Sequence, residues 1–219
     1  MKEYDKAFIT GCDKRTEWML EWFVNNYKKH NDAPMIFANF GVSDEMLEKI
    51  YQEKMFHAVV NLSKAPEEGW FKKPLAMYNC PAKDKIWLDT DCEIKANLDE
   101  MFDLLEPNKL SMVKDHPWTK RRGEVWHNSG VVGIIGKPKI LQDWMIEIRN
   151  RPTVGDQETL HAMLNPILKI RYINELPHKY NVLRIDLIDG KETQDAAIIH
   201  WTGRKGKDHI KSLIEGNNG

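Results

Sequence analysis

A single-domain α/β fold built on a mixed, mostly parallel sheet is predicted by three features of this 219-residue chain. Short apolar runs alternate with longer stretches of helical periodicity. Glycine, proline or a small polar residue punctuates each junction. No internal repeat, low-complexity segment or Pro/Ser-rich linker divides the chain, and a chain of this length forms one large core more readily than two.

Taken in order, Ala7 to Thr10 reads as a first buried strand ending at Gly11. Thr16 to Lys29 then places Trp18, Met19, Trp22, Phe23 and Tyr27 at helical spacing. Pro34 to Ala38 is a second strand, broken by Gly41, and Ser43 caps a helix with Met46, Leu47, Ile50 and Tyr51 on one face. Ala58 to Leu62 is a third strand, Pro66 opens a helix to Tyr78, and Ile86-Trp87-Leu88 is a fourth strand. This order implies parallel strands joined by right-handed crossovers, a Rossmann-like nucleotide half over about residues 1–92. Residues 93–219 form a less regular second half. In it, Leu110 to Lys114 and Ser129 to Ile135 read as strands, and Lys137 to Arg149 and Asp156 to Leu164 as helices. Ala196 to Trp201 is a late strand, followed by a cationic turn over Thr202 to Lys207 and a short closing helix. The polar stretch from His116 to His127 reads as a long loop.

Composition narrows the function. Lys plus Arg (32) nearly cancels Asp plus Glu (33), so no global field points to nucleic acid or another polyanion. Cys12, Cys80 and Cys92 are widely separated, which argues against a disulfide framework or a thiolate zinc site and fits the cytoplasm. The opening residues show no signal-peptide pattern, and no apolar run is long enough to span a membrane.

The chemistry concentrates where the fourth strand runs out, at Asp89-Thr90-Asp91. If the backbone stays extended there, the two carboxylates share a face about 7 Å apart. Open α/β sheets bind ligands at strand carboxyl ends. Paired carboxylates suit Mg²⁺ or Mn²⁺, which grips phosphate oxygens. Alone the motif is common by chance, so context decides. His200 ends an apolar strand and is followed by Trp201-Thr202-Gly203-Arg204-Lys205-Gly206-Lys207, either an imidazole ligand with a phosphate clamp or a core-edge histidine beside a basic turn. Thr10-Gly11-Cys12-Asp13 offers close backbone approach and a carboxylate for a base or ribose, or is an ordinary strand-to-helix turn. Lys72 and Lys73 lie within reach of the same sheet edge, or on a solvated helix face. Asn128-Ser129-Gly130 could present an amide to a sugar hydroxyl or simply start a strand. In Gly155-Asp156-Gln157, Asp156 is either an N-cap or a substrate-facing carboxylate. Trp118 and Trp126, in the long loop, could stack on a saccharide acceptor or tuck the loop down.

Taken together, Ile86-Trp87-Leu88-Asp89-Thr90-Asp91, Asn128-Ser129-Gly130-Val131-Val132, Gly155-Asp156-Gln157 and His200-Trp201-Thr202-Gly203 occur in the order seen in GT-A glycosyltransferases. The chain most resembles the glycogenin and bacterial lipopolysaccharide galactosyltransferase group. That resemblance implies a single GT-A domain moving a hexose, UDP-linked, from a nucleotide diphosphate sugar to a saccharide, glycan or other hydroxyl acceptor with retention. It implies Asp89, Asp91 and His200 around Mn²⁺ or Mg²⁺, Thr10 to Asp13 and Thr90 at the nucleotide, and Lys72, with Lys73, at a sugar or phosphate oxygen. Gly203 and a lysine beyond it would hold phosphate, and Asn128, Asp156 and Gln157 the donor sugar. The group places that lysine six residues after the histidine, where this chain has Gly206 between Lys205 and Lys207, and the group's downstream Pro-Trp is missing. The rival readings are a sugar-phosphate nucleotidyltransferase, which needs a glycine- and lysine-rich first loop that Thr10 to Asp13 does not supply, and a non-catalytic saccharide-binding relative.

Overall fold

The computed structural model describes residues 2–150, 155–190 and 195–216. Its elements run β1 (Tyr4–Cys12), α1 (Leu20–His30), β2 (Met35–Asn39), α2 (Asp44–Gln52), β3 (Ala58–Asn61), α3 (Lys73–Asn79) and β4 (Ala82–Leu88). They continue with β5 (Cys92–Ile94), β6 (Leu110–Lys114), α4 (His116–Arg122), β7 (His127–Ile135), α5 (Lys139–Asn150), α6 (Asp156–Met163) and α7 (Pro166–Tyr172). The last are β8 (Ile173–Leu176), β9 (Val182–Leu183), α8 (Arg184–Ile188), β10 (Ile198–His200) and α9 (Gly203–Gly216).

Seven strands form one sheet in the order β3-β2-β1-β4-β7-β6-β8. β3, β2, β1 and β4 pair in parallel, β7 runs antiparallel to both β4 and β6, and β8 is parallel to β6. The mixed, mostly parallel sheet predicted from the sequence is therefore present. Alternation along the strands splits the core into two layers. Phe8 and its register partner Ile86 face one layer, while Ile9 and Trp87 face the other. β2 is buried at every position, as a parallel strand covered by helices on both faces should be. A small second sheet, β5-β10-β9, lies beside the end of β4.

Four expectations need correction. The helix expected from Pro66 begins only at Lys73, after a 3₁₀ turn over Gly69–Lys72, because Gly69 adopts a left-handed φ of +49° and Pro74 suits only a helix start. The long loop contains α4, whose N-cap Asp115 accepts from the Trp118 amide and whose last turn closes on Gly123 at φ 71°. The cationic turn after His200 is the first turn of α9. Asp89-Thr90-Asp91 is not extended but a tight turn closed by the Cys92 amide on the Asp89 carbonyl at 3.0 Å.

Core packing should be sensitive to single truncations. Phe8 is fully buried and meets Phe102 and Tyr27 edge-on at ring-centroid distances of 4.8 and 5.5 Å. Phe8→Ala is expected to cost about 3–5 kcal/mol, read as a lower urea midpoint at constant slope.

Candidate active site

The acidic turn sits at the carboxyl end of β4, beside β1 and β7, and every neighbouring element contributes to it. Trp87, the penultimate residue of β4, donates its indole N–H to Asp89 Oδ1 at 2.6 Å. The Asp89 amide donates to the Gly130 carbonyl of β7 at 2.9 Å. Register then brings in the histidine. β5 and β10 pair antiparallel with His200 opposite Cys92, and the Trp201 amide donates to the Asp91 carbonyl at 2.9 Å. The imidazole Nε2 therefore lies 3.1 Å from Asp91 Oδ1 and 3.9 Å from Asp89 Oδ2.

The orientation of that ring follows from a chain of hydrogen bonds anchored on backbone. The Gly130 N–H can only donate, and it meets Asn128 Oδ1 at 2.9 Å, which identifies that atom as the oxygen. Asn128 Oδ1 also accepts from Asn181 Nδ2 at 2.9 Å, so the other end of the Asn181 amide, facing His200 Nδ1 at 3.0 Å, is its oxygen. Nδ1 must carry a hydrogen, and Nε2 is the ring nitrogen that faces the two carboxylates. An imidazole nitrogen and two carboxylates that converge in this way have the geometry of a cation site. Ligand atoms of Asp89, Asp91 and His200 all lie within 4.8 Å of one another. Two carboxylates and one imidazole form a donor set suited to Mn²⁺ or Mg²⁺.

Two lysines hold the carboxylates. The Lys73 ammonium, buried below α3, lies 3.1 Å from Asp89 Oδ1 and 3.0 Å from Asp156 Oδ2, and donates to the Ser129 carbonyl at 2.8 Å. Burial works to strip its proton, but the two carboxylates outweigh burial and push its pKa upward. Lys207, in the first turns of α9, donates to Asp91 Oδ2 at 2.9 Å. Burial would raise the Asp91 pKa, yet His200 and Lys207 hold it well below the usual carboxylate range. Burial raises the Asp89 pKa, with Lys73 opposing and Asp91 adding to the rise.

The remaining predicted residues divide between cleft wall and support. Gly11, Cys12, Asp13, Trp87, Thr90 and Lys207 line a cleft on the β1 side of the acids. Gly11 is required there because a Cβ would come 2.6 Å from the Ala38 carbonyl oxygen. Thr10 does not face the cleft: it is fully buried and its hydroxyl donates to the Leu88 carbonyl at 2.7 Å, tying β1 to β4. The Asp13 carboxylate is clasped by the Arg15 guanidinium at 2.7 and 2.9 Å. The Cys12 thiol is buried and its pKa pushed up, chiefly by burial. Lys72 caps the Phe40 and Leu62 carbonyls at 3.0 Å each, so the lysine facing the acids is Lys73. Gly203 supplies a left-handed φ of +72° at the start of α9. Lys205 points to solvent, which leaves Lys207 beside the acids. Gly206 stands where a Cβ would fall 1.9 Å from the Trp201 carbonyl oxygen.

A second cavity on the other side of Asp89 is walled by Lys73, Trp118, Asn128, Gln157, Asp156 and His200. Asp156 is not a cap: Gly155 holds the N-cap position of α6, and the Asp156 carboxylate turns to Lys73 instead. Asn128 has no capacity left for a sugar hydroxyl. Its two N–H groups donate to Asp115 Oδ2 at 3.2 Å and Gln157 Oε1 at 3.0 Å, and its oxygen accepts from Gly130 and Asn181. Gln157 Oε1 also accepts from the Ser129 amide at 3.2 Å, and its Nε2 donates to Asp115 Oδ2 at 3.1 Å. Trp118 lines this cavity. Trp126 lies behind it, buried between Trp118 at 5.2 Å and His161 at 3.4 Å.

Asp115, Asn181 and Trp70 were not singled out from the sequence. Asp115 carried a signal, an Asp preceding His-Pro at a helix start. Trp70 is half exposed and lines both cavities. Asn181 had no local signal at all. Its geometry generates a prediction: Asn181→Ala frees the ring to turn over and should weaken Mn²⁺ binding by about 10–100-fold. Asn181→Asp, which keeps an acceptor, should lose less. Titration calorimetry with Mn²⁺ alone reads both, and unchanged affinity in the Ala variant would refute the orienting role.

No protein-family model matches the sequence, and no curated protein matches it. Solved structures do match. Galactosyltransferase LgtC, solved with donor and acceptor sugar analogs, superposes with a TM-score of 0.66 at 13% identity, over 90% of this chain and 87% of that one. The glycosyltransferase GlyE of Streptococcus pneumoniae TIGR4 gives 0.70 at 18% identity over 92% of this chain, which spans only 55% of GlyE. A glycosyltransferase involved in the glycosylation of the major capsid of PBCV-1 gives 0.58 at 15% identity, over 96% of this chain and 99% of that one. The fold of this chain is that of the GT-A glycosyltransferases.

Proposed function

We propose that the chain is a divalent-metal-dependent glycosyltransferase that moves a hexose from a nucleotide diphosphate sugar, UDP-linked, to a saccharide hydroxyl with retention. The observation that carries this reading is the convergence of His200 Nε2, Asp89 and Asp91 at the junction of two cavities. A junction of that kind suits a donor whose diphosphate lies at the metal, its nucleoside in the cleft of Gly11 to Asp13 and its sugar in the cavity of Asp156 and Gln157.

A Mn²⁺ or Mg²⁺ ion held by Asp89, Asp91 and His200 would neutralise the diphosphate leaving group without a proton transfer. Lys207 adds a cation at the same side, and its contact with Asp91 holds it ready. On the sugar side, the Asp156 carboxylate faces the place where positive, oxocarbenium-like charge develops. Lys73 holds it and Asp89 at a fixed separation. Gln157 is kept in one orientation by the Ser129 amide and Asp115, so its remaining N–H and carbonyl edge present a preset surface to the sugar. Trp118 supplies an aromatic wall for the acceptor.

Excess chelator should abolish donor hydrolysis across a panel of nucleotide sugars, and Asp91→Asn should do the same without lowering the melting temperature. Turnover that survives chelation would end the metal reading. Binding of nucleoside triphosphates in preference to diphosphates would favour a nucleotidyltransferase, and saccharide binding with no metal-linked nucleotide affinity would favour a non-catalytic relative.

Asp156→Asn keeps the shape and removes the charge. It should lower kcat by roughly 10²–10³ while leaving the nucleotide Kd unchanged, as for other single electrostatic groups. Wild-type turnover in that variant would remove Asp156 from the catalytic set.

A further inference from the structure

Away from the acids, α7 exposes Ile167 and Ile170 to 77% and 79%, and Val125, in the turn after α4, to 40%. Isoleucines three apart on a short helix normally turn one to the core, and here neither does. Val125 and Ile170 border one cavity, and Ile167 lies on the same short helix as Ile170. The Lys169 ammonium donates to the Val125 carbonyl at 2.6 Å, and Val125, Pro166, Lys169 and Ile170 border a shallow cavity of about 430 Å³.

Cations on α4 and α7 connect to that apolar patch through a row of rings. Arg121 and Arg122 lie over the Trp118 ring at 5.5 and 4.8 Å, Trp118 stacks on Trp126, and Trp126 stacks on His161, which contacts Lys169 at 3.0 Å. Lys120, Arg121, Arg122 and Arg171 are exposed and reach no carboxylate within ion-pair distance among the described residues. Two acids share the face, Glu124 at 3.0 Å from His161 and Glu175 at 3.5 Å from His127; burial lowers the pKa of both imidazoles, so the acids keep their charge and are outnumbered by the four exposed cations. A chain with a formal charge of −1 thus gathers a local excess of positive charge around its most exposed isoleucines.

We infer that this face, formed by α4, the turn after it and α7, docks on an anionic lipid surface. Apolar side chains enter the acyl boundary while lysine and arginine stems reach back to headgroup phosphates, the arrangement of interfacial binding. A second copy of the chain fits less well, because a two-fold contact would set the same cations against each other. Nucleic acid would leave the isoleucines in water. The position has a use if the proposed function holds: α4 carries Trp118 on the wall of the sugar cavity, so docking would present that cavity to an acceptor held at the surface.

The test is sedimentation of the full chain with vesicles of phosphatidylcholine alone and of equal parts phosphatidylcholine and phosphatidylglycerol. The wild type should pellet with the anionic vesicles, less so as salt rises, and stay free of the neutral ones. Ile167→Ser with Ile170→Ser should weaken partitioning by about tenfold, and Arg121→Gln with Arg122→Gln should weaken it and flatten the salt dependence. All these side chains are exposed, so circular dichroism and the melting temperature should not change. No pelleting with anionic vesicles, or pelleting indifferent to both double variants, would overturn the inference. So would a concentration-dependent dimer abolished by the isoleucine substitutions, which would assign the face to a second copy. Vesicle binding needs no turnover, so this surface and the glycosyltransferase reading can fail separately.

Discussion

The arrangement rests on one hydrogen bond whose direction cannot be reversed, from the Gly130 backbone N–H to Asn128 Oδ1. It orients the Asn128 amide, which orients Asn181, which places a hydrogen on His200 Nδ1 and leaves Nε2 toward the acids. Gly130 also has to be glycine: a Cβ there would lie 2.1 Å from His200 Cε1. The Asn-Ser-Gly run therefore has a structural meaning distinct from sugar contact. It makes room for the imidazole and sets its tautomer, and its middle residue supplies the carbonyl that receives Lys73.

Electrostatics explain why such a site persists in a buried place. Asp89, Asp91 and Asp156 bring three negative charges and Lys73 and Lys207 two positive ones, leaving one net negative charge among these side chains. Burying charges costs several kcal/mol per ion unless each is paired and hydrogen-bonded. Each here is paired. A divalent cation would turn the balance to one net positive charge, which suits a diphosphate, so ion and nucleotide would reinforce each other's binding.

What the sequence makes legible follows from the range of the physics. The apolar runs of β1, β2 and β4 and the acid pair at a strand end are local patterns, and they led to the right sheet; that His200 joins Asp89 and Asp91 was implied by the resemblance of four ordered motifs, and the three do lie together. The choice between Lys72 and Lys73 was not local. It depends on where a 3₁₀ turn gives way to α3, which Gly69 and Pro74 decide. α4 was hidden because its residues are polar and aromatic, without a stripe, though Asp115 and Gly123 mark its ends. Asn181 was invisible for a different reason: its function is a contact with residues far away in the chain, and nothing beside it in sequence needs that contact.

The same distinction bears on how the two sheets divide the labour. The large sheet places the acids through strand order, and the fold that carries it tolerates wide sequence change, being shared with solved structures at 13–18% identity. The histidine depends instead on register in the three-stranded sheet, where His200 opposes Cys92 and Ile198 opposes Ile94. A slip of one residue would turn His200 to the opposite face and bring Ile199 toward the acids. Three constraints oppose that slip: Ile198 and Ile94 are buried together, the Trp201 amide is tied to the Asp91 carbonyl, and the Trp201 indole donates to Glu93 at 2.9 Å. The chain thus keeps its least forgiving placement in its smallest sheet, held by aliphatic packing on one side of the histidine and by hydrogen bonds on the other.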